Sequence, residues 1–181
     1  HQTRGGSPSG EAILEKATLI LDNTIIAARP EAQEDGVHIV LDKTQIEAII
    51  PHREPFLLID RVLEMVPGEY AMAEKDVLPT EEVFRGHFPG YPVFPGVLQL
   101  EALAQTGCVA LLAPPEARGK IVLFAGVDNV RFKRPVEPGQ TLRLETRLGA
   151  SRGPVGKGEG KAFVDGKLAC SATLTFALVD R

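Results

Sequence analysis

The sequence predicts an α+β protein in which one long buried helix is wrapped by an antiparallel sheet of about five or six strands. Three observations lead there. Residues 97–113 (VLQLEALAQTGCVALLA) are rich in strong helix formers, hold no proline and are stopped by Pro114 and Pro115. Their apolar residues cover every angular sector, as in a helix enclosed by protein. From Ile121 onward the pattern changes to period-two alternation, with turn signals between the runs.

Taken in order, residues 1–36 read as an N-terminal extension and residues 37–181 as a single domain. HQTRGGSPSG has the composition of a flexible or artificial leader, and it carries neither a signal-peptide cleavage site nor an Arg-rich transit signature. Residues 11–28 suit a short helix or a strand equally, and PEAQEDG at 30–36 suits an acidic linker. The stretch 42–50 is expected to be helical, with Asp42 as N-cap, an apolar stripe at Ile46, Ile49 and Ile50, and Pro51 as its stop.

Strands are expected at 56–65 and 70–77 around a Pro67-Gly68 turn. His52 and Arg53 fall between Pro51 and Pro55, where a structural loop role is preferred to catalysis because no acid or nucleophile adjoins them in sequence. The segment 87–96 (HFPGYPVFPG) is excluded from helix by Pro89, Pro92 and Pro95.

Beyond the helix, Val130, Phe132 and, less cleanly, Val136 alternate with Arg131 and Lys133. Leu142, Leu144 and Leu148 share one side of the next run, and SRGPVGKGEG is expected to be a turn or a loose strand junction. An Asp165-Gly166 hairpin signal then precedes strict alternation at Cys170, Ala172, Leu174, Phe176 and Leu178. A sheet around one helix leaves open edges, which dimerisation through an edge strand would cover.

Composition narrows the function. A net charge of −4 gives no reason to expect nucleic acid or an anionic membrane as partner. The one long apolar run is interrupted by Gln99, Glu101 and Gln105, too polar for a membrane span. Cys108 and Cys170 occupy apolar positions and read as core thiols of a reducing compartment, which leads to an expectation of cytoplasmic location. There is no tight His/Cys/Asp cluster, so neither a metal nor another cofactor is expected.

Against that background Glu101 stands out. In an all-apolar helix, desolvation favours the neutral carboxylic acid, a proton donor; the alternatives are a side chain that snorkels out or pairs with an arginine. His87, opening the stiff loop just before the helix, is a competent base near neutral pH.

HFPGYPVFPGVLQLEALAQ (87–105), with PHREPFLLIDRV (51–62) before it and FAGVDNVRFKRPVEPG (124–139) after it, resembles the β-hydroxyacyl-acyl-carrier-protein dehydratases of the FabZ type. These are hot-dog-fold enzymes of bacterial fatty-acid synthesis, and the collinear likeness spans about residues 42–178. The resemblance implies dehydration of (3R)-hydroxyacyl-acyl carrier protein to the trans-2-enoyl thioester, with His87 as base and Glu101 as acid. It implies that Gly96, with Val97 next to it at the helix start, receives the thioester carbonyl on a backbone N–H. It also implies a homodimer whose sites draw His and Glu from opposite protomers, commonly assembled as three dimers in a hexamer.

Glu101 stands where isomerase-competent FabA relatives carry Asp, which favours a simple dehydratase. Phe88, Pro92, Val93, Phe94 and Phe124 are candidates for an acyl tunnel or for ordinary core packing. Arg131, Lys133 and Arg134 are candidates for a patch that meets an acidic carrier protein, or for a solvated strand face. Phe94 replaces the Met usual in its block, and Leu123 falls near where some relatives have a tunnel-gating tyrosine. Both departures concern chain length rather than chemistry.

Overall fold

The structure is a computed structural model that describes residues 41–117 and 119–180. The expectations for residues 1–36 lie outside the described residues. Helix α1 (Lys43–Ile49) begins as expected: the Asp42 carboxylate accepts from the N–H of Gln45, and the Gln45 side chain accepts from the N–H of Asp42. Ile46 and Ile50 face the core.

Six strands form one antiparallel sheet: β1 (Arg61–Val66), β2 (Tyr70–Asp76), β3 (Lys120–Phe132), β4 (Thr141–Arg152), β5 (Val155–Val164) and β6 (Lys167–Asp180). Their spatial order is β1-β2-β4-β5-β6-β3. Helix α2 (Gly96–Leu112) lies across this sheet and packs against all six strands. The α+β hot-dog architecture expected from the sequence is therefore the one observed.

The helix and sheet approach closely because small residues sit between them. A Cβ on Gly107 of α2 would lie 2.8 Å from Cγ2 of Thr146 on β4, and one on Gly160 of β5 would lie 3.2 Å from the Leu103 side chain. Thr146 donates its hydroxyl to the Leu103 carbonyl at 2.7 Å, so a buried polar side chain is satisfied across the same contact. Leu142, Leu144 and Thr146 form the buried face of β4, and Cys170, Ala172 and Leu174 that of β6. Both cysteines are buried free thiols; burial pushes Cys170 up to about 11. At the β5–β6 turn Asp165 and Gly166 both take positive φ, as a two-residue hairpin requires.

Three local expectations are corrected. The first strand starts at Arg61, not at 56. Leu57, Leu58 and Ile59 are buried, but their segment bonds to a side chain in place of a strand: Gln105 takes the Leu58 N–H at 2.8 Å and donates to the Phe56 carbonyl at 2.9 Å. The run 151–160 is no loose junction; only Gly153 and Pro154 lie between β4 and β5. Gly156, Gly158 and Gly160 alternate inward there while Lys157, Glu159 and Lys161 face out. Finally, β3 is an edge strand with two irregularities in its pairing to β6, and Phe132 is 53% exposed despite its apolar phase.

Candidate active site

A cavity of about 140 Å³ opens between the middle of α2 and strands β3 to β6. Glu101, Gln105, Cys108 and Leu111 enter it from the helix, Leu123 and Phe124 from β3, and Thr146, Leu148, Gly158, Leu174 and Phe176 from the other strands. Its lining is mainly apolar, with the Glu101 carboxyl as the only acid among the described residues. That composition suits an acyl chain ending at a proton-transfer group.

Glu101 is held from two sides. Gln105, one turn further along α2, donates its amide to Oε1 at 3.0 Å, and Nε2 of His52 lies 3.5 Å from the same oxygen. Burial pushes this carboxyl up, but the hydrogen bonds from His52 and Gln105 outweigh it and hold the group below the usual glutamate value. The expected neutral acid is thus corrected for the single chain. The physical reason is that Glu101 keeps about a fifth of its side chain exposed and meets two donors rather than a wholly apolar wall. Cys108, buried near the same charge, is pushed up to about 12 and stays a neutral thiol.

His87 is set by its own loop. Its Nδ1 lies 2.7 Å from the Val93 carbonyl, which can only accept, so Nδ1 carries the ring proton and Nε2 is the basic nitrogen. The Val93 N–H returns to the His87 carbonyl at 3.0 Å, and Phe88 and Tyr91 exchange two backbone bonds around Gly90 at φ +76°. The prolines that exclude helix thus leave a loop closed by its own hydrogen bonds, with the imidazole fixed on it.

Helix α2 starts next to this loop, with Pro95 as N-cap and no side chain capping it. The N–H groups of Leu98 and Gln99 both turn to the Pro95 carbonyl, whereas those of Gly96 and Val97 have no intrahelical acceptor. These two point partial positive charge outward from the helix end. Gly96 also has a packing role, since a Cβ there would lie 2.6 Å from the Phe132 ring.

A family model described as the FabA-like domain matches residues 50–173, more than half of the chain. The 3-hydroxyacyl-[acyl-carrier-protein] dehydratase FabZ of Staphylococcus carnosus is 60% identical over 141 residues, spanning 78% of this chain and 97% of that protein. The chain belongs to the FabZ-type dehydratases of the FabA-like family. The FabZ dehydratase of Roseiflexus castenholzii is 58% identical over 139 residues, spanning 77% of this chain and 97% of its own length. Among solved structures, the dehydratase heterocomplex ApeI:P of Xenorhabdus doucetiae superposes with a TM-score of 0.65 over 75% of this chain and 91% of that one. At 17% identity it speaks for the fold alone.

The residues singled out from the FabZ likeness do not all meet in one chain. Glu101 lines the cavity and His87 does not. Of the five tunnel candidates only Phe124 is in the lining. Phe94 is fully buried, with Phe84 at 6.4 Å between ring centroids and the Lys75 ammonium over its face, which makes it a core residue. Phe88, Pro92 and Val93 stay on the His87 loop outside the cavity lining. Arg131, Lys133 and Arg134 are all exposed around the end of β3, with Arg134 bonded to the Leu168 carbonyl.

Sequence reading passed over Gln105, whose signal was its i+4 spacing from Glu101 on one helix. It assigned His52 to a structural loop. No spacing could have corrected that, because the contact joins residues 49 apart in the chain.

Proposed function

We propose that this chain, as a FabZ-type dehydratase, removes water from 3-hydroxyacyl groups carried on acyl carrier protein, with His87 as base and Glu101 as acid. The observation that carries the reading is the hydrogen bond from His87 Nδ1 to the Val93 carbonyl, which leaves Nε2 as the nitrogen that would accept the C2 proton. The C2–H electrons form the double bond as the C3–O bond breaks, and a proton from Glu101 completes the departing water. Charge gathers meanwhile on the thioester oxygen, toward which the N–H groups of Gly96 and Val97 direct the helix-end field. Glu101 must enter the cycle protonated, and desolvation by substrate and a second subunit opposes the depression felt in the single chain.

The working pair comes from two subunits in this reading. Support comes from the absence of His87 from the Glu101 cavity and from the edge of β3, which among the described residues is uncovered and exposes Leu123, Phe124, Val127 and Phe132. Pairing two such edges would cover apolar surface and bring a second subunit against the cavity mouth. Three dimers in a hexamer are the assembly we infer. The acyl chain occupies the cavity past Phe124, and Arg131, Lys133 and Arg134 meet the acidic carrier protein. Among the described residues no helix is long and apolar enough to cross a membrane. Two buried free thiols accord with the cytoplasm, where we place the enzyme.

Incubation with 3-hydroxybutyryl-acyl carrier protein tests the reaction directly. An enoyl thioester lighter by one water is expected. Glu101→Gln, which keeps shape but cannot donate an acid proton, should lose at least about 100-fold. Free acid and free thiol as products would make the chain a thioesterase on the same fold, and no turnover by a folded sample would leave it a binding subunit.

A further inference from the structure

Glu101 has two oxygens, and the structure treats them differently. Gln105 and His52 both approach Oε1, while among the described residues no hydrogen bond is made to Oε2. An oxygen that accepts from two donors serves as the carbonyl oxygen of an acid as well as the charged oxygen of a carboxylate. The proton of the acid form then belongs on Oε2. We propose that His52 is a positioning residue for Glu101: its Nε2–H donates to Oε1, so that Oε2 is the oxygen that carries the proton to the leaving hydroxyl. This rests on the dehydratase reading.

The other ring nitrogen supports the assignment. Nδ1 of His52 is buried and, among the described residues, has no hydrogen-bond partner. A proton placed there would be a buried donor with nothing to receive it, while Glu101 lost a donor. A donor N–H on Nε2 resolves both. The backbone on either side of His52 is also held: Arg53 donates to the carbonyls of Ile50 and His52 at 2.9 and 2.7 Å, and Gln105 secures the backbone at Phe56 and Leu58. The loop bearing His52 is therefore tied to the same glutamine that holds Glu101. The 3.5 Å separation accords with a catalytic contact that tightens in the complex with substrate.

Few other charges face the pair. Among the described residues the only further titratable group in the cavity lining is Cys108, a neutral thiol, and the Arg53 guanidinium is engaged by backbone carbonyls. In the proposed dimer, His87 of the second subunit joins them.

His52→Phe and His52→Gln separate positioning from packing. His52→Phe is expected to lower kcat about 10- to 100-fold with KM changed less than about twofold. It should also move the Glu101 limb of the pH–rate profile to higher pH, because a donor that favours the carboxylate is gone. His52→Gln, which offers an amide N–H, should recover most of both. Wild-type kcat in His52→Phe, or a Gln variant no better than Phe, would overturn the proposal.

Two measurements need no turnover. Nitrogen-15 shifts of wild-type His52 should put the proton on Nε2, and a proton on Nδ1 would sink the assignment whether or not the variants fold. The carbon-13 titration of the Glu101 carboxyl should move upward in His52→Phe; an unmoved titration refutes the contact. If the wild type formed no enoyl product the dehydratase reading would fall, and these two spectra would still judge the contact.

Discussion

Two side chains of the site owe their properties to what occupies one of their two polar atoms. The Val93 carbonyl takes the Nδ1 proton of His87 and so makes a base of Nε2. Gln105 and His52 take Oε1 of Glu101 and, among the described residues, leave Oε2 without a hydrogen bond. Gln105 is the most heavily engaged of these groups, with bonds to Glu101, Phe56 and Leu58, and is 1% exposed. Gln105→Leu should therefore do more than loosen Glu101. It leaves the Leu58 N–H and the Phe56 carbonyl unpaired, and chemical denaturation should show a loss of about 2–4 kcal/mol from two such groups. A loss near zero would mean that water replaces all three bonds.

Among the elements, β5 shapes the cavity by the side chains it lacks. Its inward glycines withhold side chains where α2 and the Phe176 ring approach. A Cβ on Gly156 would lie 2.5 Å from that ring, and Phe176 in turn lines the cavity. Gly156→Val is expected to push Phe176 inward and shorten the space for an acyl chain. The ratio of kcat/KM for a long acyl-carrier substrate to that for the four-carbon one should fall by about tenfold or more, with the short substrate little affected. Equal losses on both substrates would assign Gly156 to stability alone. The loop 56–60 illustrates a related point: an apolar run joins the core without joining the sheet when a helix side chain satisfies its backbone.

At the scale of the whole molecule the decisive feature is the outer edge of β3. Among the described residues it is a long strand paired only to β6 on one side, and it exposes Leu123, Phe124, Val127 and Phe132. Such an edge is a liability in a monomer and a natural seam between subunits. If sites are shared across that seam, mixing inactive His87→Ala with inactive Glu101→Ala chains should restore activity. Random pairing makes half of the dimers mixed, and one of the two sites in each mixed dimer would be intact, so about a quarter of wild-type turnover is expected. No recovery after verified subunit exchange would place both residues of a site in one chain.

The long helix, the α1 cap at Asp42, the Asp165-Gly166 hairpin and the inward face of β6 are legible in the residue string, because each depends on neighbours within a few residues. It also brought His87 and Glu101 to notice, since a proline-rich loop and an acid in an apolar helix are local anomalies. The surroundings of Glu101 come from the folded chain instead. His52 reaches it from a loop 49 residues earlier, and those donors, rather than an apolar wall, set its charge. The glycines of β5 were likewise opaque: in a string of residues glycine signals a turn, and only the closeness of Leu103 and Phe176 reveals that here it makes room. Local pattern fixes backbone conformation, whereas the protonation of a carboxyl and the size of a cavity depend on which distant side chains the fold brings within about 4 Å.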